Sequence, residues 1–552
     1  MPKDEIIELL KGAATEAQQK NLLPPVALPD ITLEHPQNPE HGDYASSLPL
    51  KLARAARMNP LAIARTLASI LSLTPQIEKI EVAPPGFINF HLKSDWLIQE
   101  VEAILKAGEA YGDCDLGKGS KVQVEFVSAN PTGPIHVGVG RGAILGSALS
   151  NILAAAGYSV EREYWVNDVG SQMEAFYRSL YARYRQVLGQ PADMPSDGYY
   201  GEYMVELARE IVAEGDQRFL QIAGEQAVEE LGGIGLKKIV ESIKADLQMA
   251  GVELDVWFSC QSLYDKGDFH KALELLRERG YMAEKEGAVW FVSSALGEDK
   301  DNVIVRSSGS PSYFGWDIAY HYNKFLERKF DRVINIWGAD HLGHVSRVKA
   351  LVNALGVSPE RLQIIITQMV TLKRGDEVVR VSKRTGDIVT LREVLEEVGE
   401  DACRFSFLSR SADSQMEFDL ELAKRQSEEN PVYYVQYAHA RIASILRLAQ
   451  ERNIDYSDGD VSLITSEPEL TLIRKMIVLP ELVELAARNL EPHYLPHYSQ
   501  ELATVFHSFY KQCRVVSQDQ PLTRARLKLV KASQIVLAKT LRLMGISAPE
   551  RM

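Results

Sequence analysis

The spacing of hydrophobic and polar positions changes along the chain, and its first part predicts a small mixed domain. The stretches "DEIIELL" and "NPLAIARTLASIL" repeat apolar residues at helical spacing, and Asn59 followed by Pro60 is typical of a helix start. "IEKIEV" and "GFINFHL" flank a Pro-Pro-Gly turn and predict two strands. We therefore expect a small α+β domain over residues 1–115.

From about residue 116 the pattern alternates between strands and helices. "KVQVEFV", "SVEREYWV", "NVIV", "RVINIW" and "RLQIII" are short β-branched runs separated by helical stretches, and a helical insertion spans about 190–255. Such alternation predicts an open parallel sheet whose ligands bind at the carboxyl ends of the strands. We expect this Rossmann-like α/β domain to cover residues 116–390.

Beyond about residue 390 the strand patterns stop. The stretches "NPVYYVQYAHARIASILRLAQ", "LIRKMIVLPELVELAARNL" and "RARLKLVKASQIVLAKTLRLMG" all have helical periodicity. We therefore expect an all-α domain over residues 391–552.

Composition narrows the class of protein. The 552 residues are 45% hydrophobic and 25% charged, without an apolar run of membrane-span length or a signal-peptide pattern, so we expect a cytoplasmic protein with no membrane contact. The net charge of −14 argues mildly against nucleic acid, but it averages over domains. Neither a disulfide framework nor a zinc knuckle is expected from four widely spaced cysteines, Cys114, Cys260, Cys403 and Cys513.

The stretch "ANPTGPIHVGVGRG", residues 129–142, follows a predicted strand and opens a predicted helix. Backbone N–H groups and the helix dipole favour phosphate at such a position, and His136 could donate to a phosphoryl oxygen. A tight turn with a packing histidine explains the stretch equally well. The Rossmann glycine fingerprint fails at Ala143, and "GDCDLGKG" lacks the Ser or Thr of a P-loop. Close approach of a ligand is expected at Gly133, Gly138, Gly140 and Gly142.

Two further stretches follow predicted strands. In "WGADHLGH", residues 337–344, Asp340 could accept from a ribose hydroxyl or cap a helix, whereas His341 and His344 could bind a metal ion, an interpretation we rank lower. In "RVSKRTGD", residues 380–387, basic side chains could close over a triphosphate, although a solvated basic loop is the alternative.

The stretch "SPSYFGWDIAYHYNKF", residues 310–325, offers an acidic, aromatic surface. Tyr313 and Asp317 are four residues apart on a predicted helix and therefore share a face. Together with Glu125 they could form a pocket for a cationic substrate, because a buried guanidinium needs paired carboxylates. The alternative is an ordinary helix with one solvated aspartate.

The order of these stretches resembles a class I aminoacyl-tRNA synthetase. "HVGV" lies where that class carries its HIGH signature, and "RVSKR" lies where it carries KMSKS. "EFVSANPTGPIHVG", "YWVNDVGSQ", "YFGWDIAYHYNKF", "DACRFSFLSRS" and "LMGISAPERM" narrow the resemblance to arginyl-tRNA synthetases, nearly end to end. The resemblance implies a class I Rossmann-like catalytic domain, an amino-terminal domain that contacts the tRNA D-loop, and a helical anticodon-binding domain.

The resemblance also implies roles for particular residues. The HIGH-type motif comprises Ala129, Asn130, Pro131, Thr132, Gly133, Pro134, Ile135, His136, Val137, Gly138 and Val139. Catalysis is implied for His136, Arg380 and Lys383. Arginine binding is implied for Glu125, Asn130, Tyr313, Asp317 and His341. ATP binding is implied for Ser128, His136, Gly138, Val139, Gly338, Asp340, His344, Val370, Ser382 and Lys383. For tRNA, stacking or basic side chains are expected at Tyr433, Tyr437, Arg441, Arg524, Arg526 and Lys528.

The implied activity is arginine–tRNA ligation: ATP activates L-arginine to arginyl-adenylate, and the 2′-hydroxyl of tRNA(Arg) then takes the arginine. ATP enters with Mg²⁺ as a substrate complex, so we expect no tightly bound cofactor and no resident metal, and a monomeric protein. Three positions depart from the family pattern, with Val139 for the second HIGH histidine, Arg380 for the first KMSKS lysine, and Ser308 for a common aspartate. The alternatives are a catalytically weakened tRNA-binding paralogue and a class I synthetase for another amino acid.

Overall fold

The computed structural model describes residues 2–36, 38–215, 218–379 and 389–552. The strands in these ranges are β1 Leu33–Glu34, β2 Tyr44–Ser46, β3 Ile77–Ala83, β4 Phe87–Leu92, β5 Lys121–Glu125, β6 Ser159–Val166, β7 Val256–Ser259, β8 Met282–Lys285, β9 Ala288–Phe291, β10 Asn302–Val305, β11 Arg332–Gly338, β12 Leu362–Thr367, β13 Val370–Arg374, β14 Glu377–Val378 and β15 Met416–Asp419.

The α-helices in the same ranges are α1 Pro2–Gln19, α2 Leu48–Ala56, α3 Pro60–Ile70, α4 Ser94–Ala107, α5 Val137–Ala155, α6 Ser171–Val187, α7 Glu202–Ala213, α8 Gly224–Met249, α9 Gln261–Asp265, α10 Asp268–Glu278, α11 Tyr313–Tyr322, α12 Val345–Ala354, α13 Leu391–Val398, α14 Glu400–Leu408, α15 Leu420–Ala423, α16 Pro431–Glu451, α17 Glu467–Met476, α18 Leu479–Asn489, α19 Tyr494–Gln512 and α20 Gln520–Met544. A π-helical turn, Asn323–Glu327, extends α11, and a 3₁₀ segment, Ala339–His344, precedes α12.

The amino-terminal domain matches its sequence prediction. Helix α3 starts at Pro60, and the Asn59 side chain accepts a hydrogen bond from the N–H of Leu61, as expected for a helix cap. Strands β3 and β4 form the predicted hairpin within a sheet of order β1-β2-β4-β3. The small α+β domain is therefore confirmed.

The central sheet is fully parallel and has the order β12-β11-β5-β6-β7. Strand β5 lies in the middle, and its last residue, Glu125, pairs in register with Glu163 on β6 and Asn335 on β11. The Rossmann-like domain is thus confirmed. "NVIV" is an exception, because it forms β10 of a separate antiparallel sheet, β10-β9-β8. A four-residue apolar run carries no signal that distinguishes the two kinds of sheet.

Helix α5 forms the centre of the fold. It packs against the sheet on one side and against α14, α18 and α20 on the other, so most of its length is buried. Gly146 is required by this packing, because a side chain there would collide with the ring of Phe126. Among the described residues α5 is the one helix long and apolar enough to cross a membrane, but its burial inside the protein is that of a core helix.

The carboxy-terminal part is helical, as predicted. The stretch "LIRKMIVLPELVELAARNL" forms two helices, α17 and α18, because Pro480 falls in the first turn of a new helix. Strand β15 pairs in parallel with β13, so residues 416–419 lie against the preceding domain, beyond the predicted boundary at 390. We propose that the helical domain begins after Ala423.

A buried guanidinium joins three parts of the chain. Arg404 on α14 is fully buried and donates to the carbonyl oxygens of Met544 (2.9 Å) and Ala250 (2.6 Å) and to Ser147 Oγ on α5 (3.1 Å). Burial lowers the pKa of Arg404 to about 10, so the group remains charged at neutral pH. Gly545 ends α20 at a positive φ of 69° in contact with this guanidinium, where a side chain would clash.

Replacing Arg404 by methionine is expected to destabilise the protein, because its buried carbonyl acceptors would lose their donor. We expect a loss of about 3 kcal/mol in the free energy of unfolding. The urea midpoint of the full chain, followed by circular dichroism, measures the change. Arg452→Met, at the exposed end of α16, is the matched control and should cost less than about 0.5 kcal/mol. Equal urea midpoints for Arg404→Met and Arg452→Met would contradict this stabilising role of Arg404.

Candidate active site

The loop after β5 turns sharply before it enters α5. Val127 and Ser128 have positive φ values of 70° and 36°. Ser128 Oγ accepts from the N–H of Trp165 (3.1 Å), and the Ala129 carbonyl oxygen accepts from the hydroxyl of Tyr164 (2.6 Å). Strand β6 therefore holds the loop, and the strained backbone is fixed by its neighbours.

His136 caps the amino terminus of α5. Its Nδ1 accepts from the N–H groups of Gly138 (3.2 Å) and Val139 (3.4 Å). Because Nδ1 accepts, the imidazole proton of a neutral ring resides on Nε2, which is then a donor at the positive end of the helix. This arrangement fits a group that donates to phosphate.

Two of the other glycines of this stretch make room for protein side chains. A Cβ on Gly140 would lie 2.6 Å from Leu391 Cδ1, and one on Gly133 would lie 3.0 Å from the ring of Tyr203. A Cβ on Gly142 would lie in ordinary contact with Ile336. Close packing therefore accounts for Gly133 and Gly140, whereas Gly142 has room for a side chain, and the approach of a ligand at these glycines stays a prediction.

The segment after β11 faces the same edge of the sheet. Asp340 is 81% exposed, and its Oδ2 lies 3.6 Å from His341 Nε2. His344 bonds to the Arg347 guanidinium, and burial together with Arg347 lowers the pKa of His344. In the described ranges no group of three or more His, Cys, Asp or Glu side chains could hold a metal ion. The segment follows Gly338, whose missing side chain leaves room for the Asp340 carboxylate.

Asp317 is a buried carboxylate at this edge. It lies on α11 at 6% exposure, and no side chain in the described part of the protein donates a hydrogen bond to its carboxylate. Burial raises its pKa to about 7; the Arg347 guanidinium lowers the pKa in part, and the Glu125 carboxylate raises it further. A buried carboxylate that lacks a donor is prepared to receive a cation.

Glu125 lies nearby, at the end of β5, but it already has a partner. Its Oε2 accepts from Lys324 Nζ (2.6 Å), and both side chains are almost completely buried. Tyr313 is half-exposed, and burial of its hydroxyl, together with Asp317 and Glu125, raises its pKa. The structure thus brings Glu125, Tyr313 and Asp317 close together, with Lys324 bound to Glu125.

Asn130 connects this pocket to the loop after β6. Its Nδ2 donates to Gln172 Oε1 (2.5 Å), and its Oδ1 accepts from Asn167 Nδ2 (2.9 Å). These bonds orient the amide beside the amino terminus of α5. The stretch "YWVNDVGSQ" contributes to the site through this contact.

The other residues that we predict to bind ATP lie in different parts of the structure. Val139 is half-buried and packs against the main core. Val370 begins β13 and pairs with Met416. The predicted residues Arg380, Ser382 and Lys383 lie outside the described residues. Directly after that segment, the Val389 carbonyl oxygen accepts from the N–H of Val137, so the chain returns to the start of α5.

A second surface carries stacked aromatic rings. Tyr433 and Tyr437 on α16 are nearly parallel, with centroids 6.3 Å apart. The Arg441 guanidinium lies 4.6 Å from the Tyr437 ring and 5.1 Å from the Tyr510 ring on α19. Such a surface can stack on nucleobases.

The basic residues of α20 are placed differently from the expectation. Arg526 is largely buried and pairs with Glu469 (2.7 Å), and Lys528 is buried against Glu102 of α4 (2.6 Å). Arg524 is exposed but bonds to Asp458. Arg526 and Lys528 hold helices together, and their burial removes them from any RNA-facing surface, because basic periodicity alone does not show which face of a helix is covered.

Sequence reasoning missed Lys324 and Asn335. Lys324 Nζ donates to Asn335 Oδ1 (3.0 Å) as well as to Glu125, and Asn335 is fully buried beside Glu125 in the sheet. A polar side chain in the middle of the apolar strand "RVINIW" was the available signal, since a buried amide requires partners.

Comparison with known proteins agrees with this geometry. Family models described as "tRNA synthetases class I (R), catalytic domain", "Arginyl tRNA synthetase N terminal domain" and "DALR anticodon binding domain" match residues 100–419, 4–92 and 435–552. The arginine–tRNA ligase of Dehalococcoides mccartyi is 58% identical over 550 residues, covering 100% of this chain and 99% of that relative. That of Carboxydothermus hydrogenoformans is 49% identical over 551 residues, covering 99% and 98%.

A solved structure supports the fold. Thermus thermophilus arginyl-tRNA synthetase matches with a TM-score of 0.79 at 23% identity, over 100% of each chain. The resemblance found in the sequence is confirmed by three family models in chain order and by relatives about half identical from end to end. The chain belongs to the arginyl-tRNA synthetase family of class I aminoacyl-tRNA synthetases.

Proposed function

We propose how this chain carries out the arginine–tRNA ligase activity of its family. The arginine carboxylate attacks the α-phosphorus of ATP, and the bond to pyrophosphate breaks to give arginyl-adenylate. The 2′-hydroxyl of the terminal tRNA ribose then attacks the activated carbonyl, and AMP leaves. Both steps need positioning and charge stabilisation more than covalent catalysis by side chains.

The substrate guanidinium binds between Asp317, Glu125 and Tyr313. The observation that carries this assignment is the buried Asp317 carboxylate, which has no donor among the described residues and whose pKa is raised. A guanidinium supplies both the charge and the paired donors that such a group lacks. Asn130 and His341 complete the site on the side of the amino-acid backbone.

ATP lies across the amino terminus of α5. The helix end and His136 Nε2 stabilise charge on the phosphates. Asp340 and Gly338 lie near the ribose, and Ser128, Gly138, His344 and the Val370 backbone complete the contacts. Mg²⁺ arrives with ATP as part of the substrate. For Arg380, Ser382 and Lys383 the support is the motif "RVSKR", at the position of KMSKS.

The tRNA contacts use two domains. The helical domain matches an anticodon-binding model, and the partly exposed group formed by Tyr433, Tyr437 and Arg441 supports contact with unpaired bases there. Arg524 can join this contact, whereas Arg526 and Lys528 are left out because they are buried. The amino-terminal domain contacts the D-loop. We also propose that the protein is a cytoplasmic monomer.

Charging of tRNA(Arg) with a panel of amino acids tests the assignment, alongside ATP–pyrophosphate exchange with and without tRNA. We expect charging with arginine only, and exchange that requires tRNA. Preference for another amino acid would indicate a different class I synthetase. Binding of tRNA(Arg) without any charging would indicate the inactive paralogue.

Arginine affinity is expected to depend on pH through Asp317. Its ionised form pairs with the guanidinium, and its pKa in the free protein is about 7. The arginine KM should therefore rise about tenfold for each pH unit below 7 and be nearly constant above it. The KM for ATP measured over the same pH range is the control. Asp317→Asn should raise the arginine KM and abolish this dependence, and a persisting dependence would contradict the assignment.

Val139→His is expected to raise the rate of arginine activation, because it restores the second HIGH donor at the start of α5. The gain can reach about a hundredfold, the usual cost of removing one such donor. Phenylalanine has an aromatic ring but no hydrogen-bond donor, so Val139→Phe is a control for size alone. Single-turnover adenylate formation gives the rate, and an unchanged or lower rate would show that position 139 does not act on the phosphates.

Tyr437→Ala is expected to weaken tRNA binding without changing the arginine pocket. Losing one stacked ring should raise the KM for tRNA(Arg) about tenfold or more and leave the arginine KM unchanged. Aminoacylation at varied tRNA concentration measures the effect. Tyr200→Ala, exposed in the helical insertion, is the matched control. An unchanged tRNA KM would place the RNA on another surface.

A further inference from the structure

Lys324 is the least expected residue of the arginine pocket. It lies on the π-helical turn after α11, and its side chain is completely buried. Two of its three N–H groups donate to Glu125 Oε2 and Asn335 Oδ1, and its Nζ lies 4.0 Å from the centroid of the Tyr320 ring. The ammonium is thus fully satisfied in its charged form, although burial alone would favour losing the proton.

A chain of hydrogen bonds runs from Lys324 to the backbone of Asp317, the residue that carries the second carboxylate. Asn335 Oδ1 accepts from Lys324, so its Nδ2 donates to His321 Nε2 (3.3 Å). His321 Nδ1 then donates to the Asp317 carbonyl oxygen (2.8 Å). Burial and the charge of Lys324 lower the pKa of His321 to about 3, which agrees with the neutral tautomer that the chain requires. One network therefore links the Glu125 carboxylate to the helical turn of α11 that carries Asp317.

Lys324 also sets the charge of the pocket. Glu125 and Asp317 together carry two negative charges, whereas a substrate guanidinium brings one positive charge. With Lys324 bound at Oε2, one oxygen of Glu125 remains, and Oε1 has no partner among the described residues. The groups that face the two carboxylates from the surrounding elements are Glu163, Tyr313, Tyr320, His321, Lys324, Arg328, Asn335, Arg347 and Cys260. The Glu163 carboxylate is itself paired with the Arg328 guanidinium, so Glu163 does not change the net charge of the pocket.

We propose, resting on the function proposed above, that Lys324 is a positioning and specificity-determining residue: it keeps Glu125 charged and oriented, leaves Oε1 for one N–H of the guanidinium, and disfavours a substrate ammonium at the same carboxylate. A guanidinium spreads its charge over a plane and can place its main charge at Asp317. An ammonium is a compact charge, and bound to Glu125 it would be repelled by Lys324. The positive charge of Lys324 therefore disfavours lysine as a substrate.

Lys324→Met tests the proposal in the full chain, because it keeps the length of the side chain and removes the charge. The arginine KM should rise roughly tenfold to a hundredfold, as when one partner of a buried charge pair is removed. The kcat should change less than about threefold, because the guanidinium is remote from the reacting carboxylate and binds equally in ground and transition states. The preference for arginine over lysine, as a ratio of kcat/KM values, should fall.

The pH profile separates positioning from a merely structural role. Without Lys324, Glu125 and Asp317 become two close carboxylates that share a proton, so the midpoint of the arginine KM profile should move to higher pH. In Glu125→Gln/Lys324→Met the second carboxylate is absent, so the midpoint should not rise and the KM should match that of Glu125→Gln alone. Lys539→Met removes another buried lysine, paired with Asp113 (2.5 Å) away from the pocket. It should leave both the KM and the midpoint unchanged.

Folded Lys324→Met with the arginine KM and pH midpoint of the parent protein would overturn the proposal. A fall in kcat at an unchanged midpoint would also overturn it, because that result indicates a structural role. If Lys324→Met does not fold, Asn335→Ala tests the proposal instead. This variant keeps the charges of Lys324 and Glu125 and removes one hydrogen-bond acceptor of Lys324. A raised KM and midpoint in Asn335→Ala support the proposal, and parent values overturn it. Failure of the parent protein to charge arginine would instead refute the proposed function.

Discussion

The structure depends on burying helix α5 on both sides. The helix fills the space between the parallel sheet and the carboxy-terminal helices, so its sequence is almost free of charge and rich in small residues. The exception is Arg141, whose guanidinium donates to the carbonyl oxygens of Gln368, Ser411 and Ser414 and so joins α5 to the segments around β13 and β15. Because α5 cannot shift without breaking these contacts, its amino terminus and His136 are fixed in space.

Burial of charge also distinguishes two carboxylates at the edge of the sheet. Glu125 and Asp317 are both buried carboxylates, but their partners differ. Glu125 is paired with the Lys324 ammonium, whereas Asp317 has no ammonium partner among the described residues. In the proposed arginine site, a bound cation would offset the cost of burying the Asp317 carboxylate. Affinity would then derive mainly from Asp317, and orientation from the Glu125 carboxylate that Lys324 already pairs.

The sequence predicted the parts of this site that depend on local pattern. A histidine at the start of a helix after a strand and an acidic residue one helical turn from a tyrosine both follow from spacing of two to five residues. Lys324 and Asn335 could not be placed, because their contact depends on the register of β11 against β5 and on a π-helical turn. Arg526 and Lys528 show the same limit. Their charges are visible in the sequence, but their burial depends on α4 and α17, which come from distant parts of the chain.

The contacts around His136 also bring two distant parts of the sequence together. The N–H of Val137 donates to the Val389 carbonyl oxygen, and the N–H of Leu391 donates to the Ile135 carbonyl oxygen, so a short backbone ladder flanks the histidine. This ladder holds the residues that follow the KMSKS-like stretch against the helix end. A separation of about 250 residues in sequence is thereby reduced to direct hydrogen bonds. In the proposed ATP site this ladder would preorganise the helix end, so binding of phosphate would not depend on a histidine at position 139 alone.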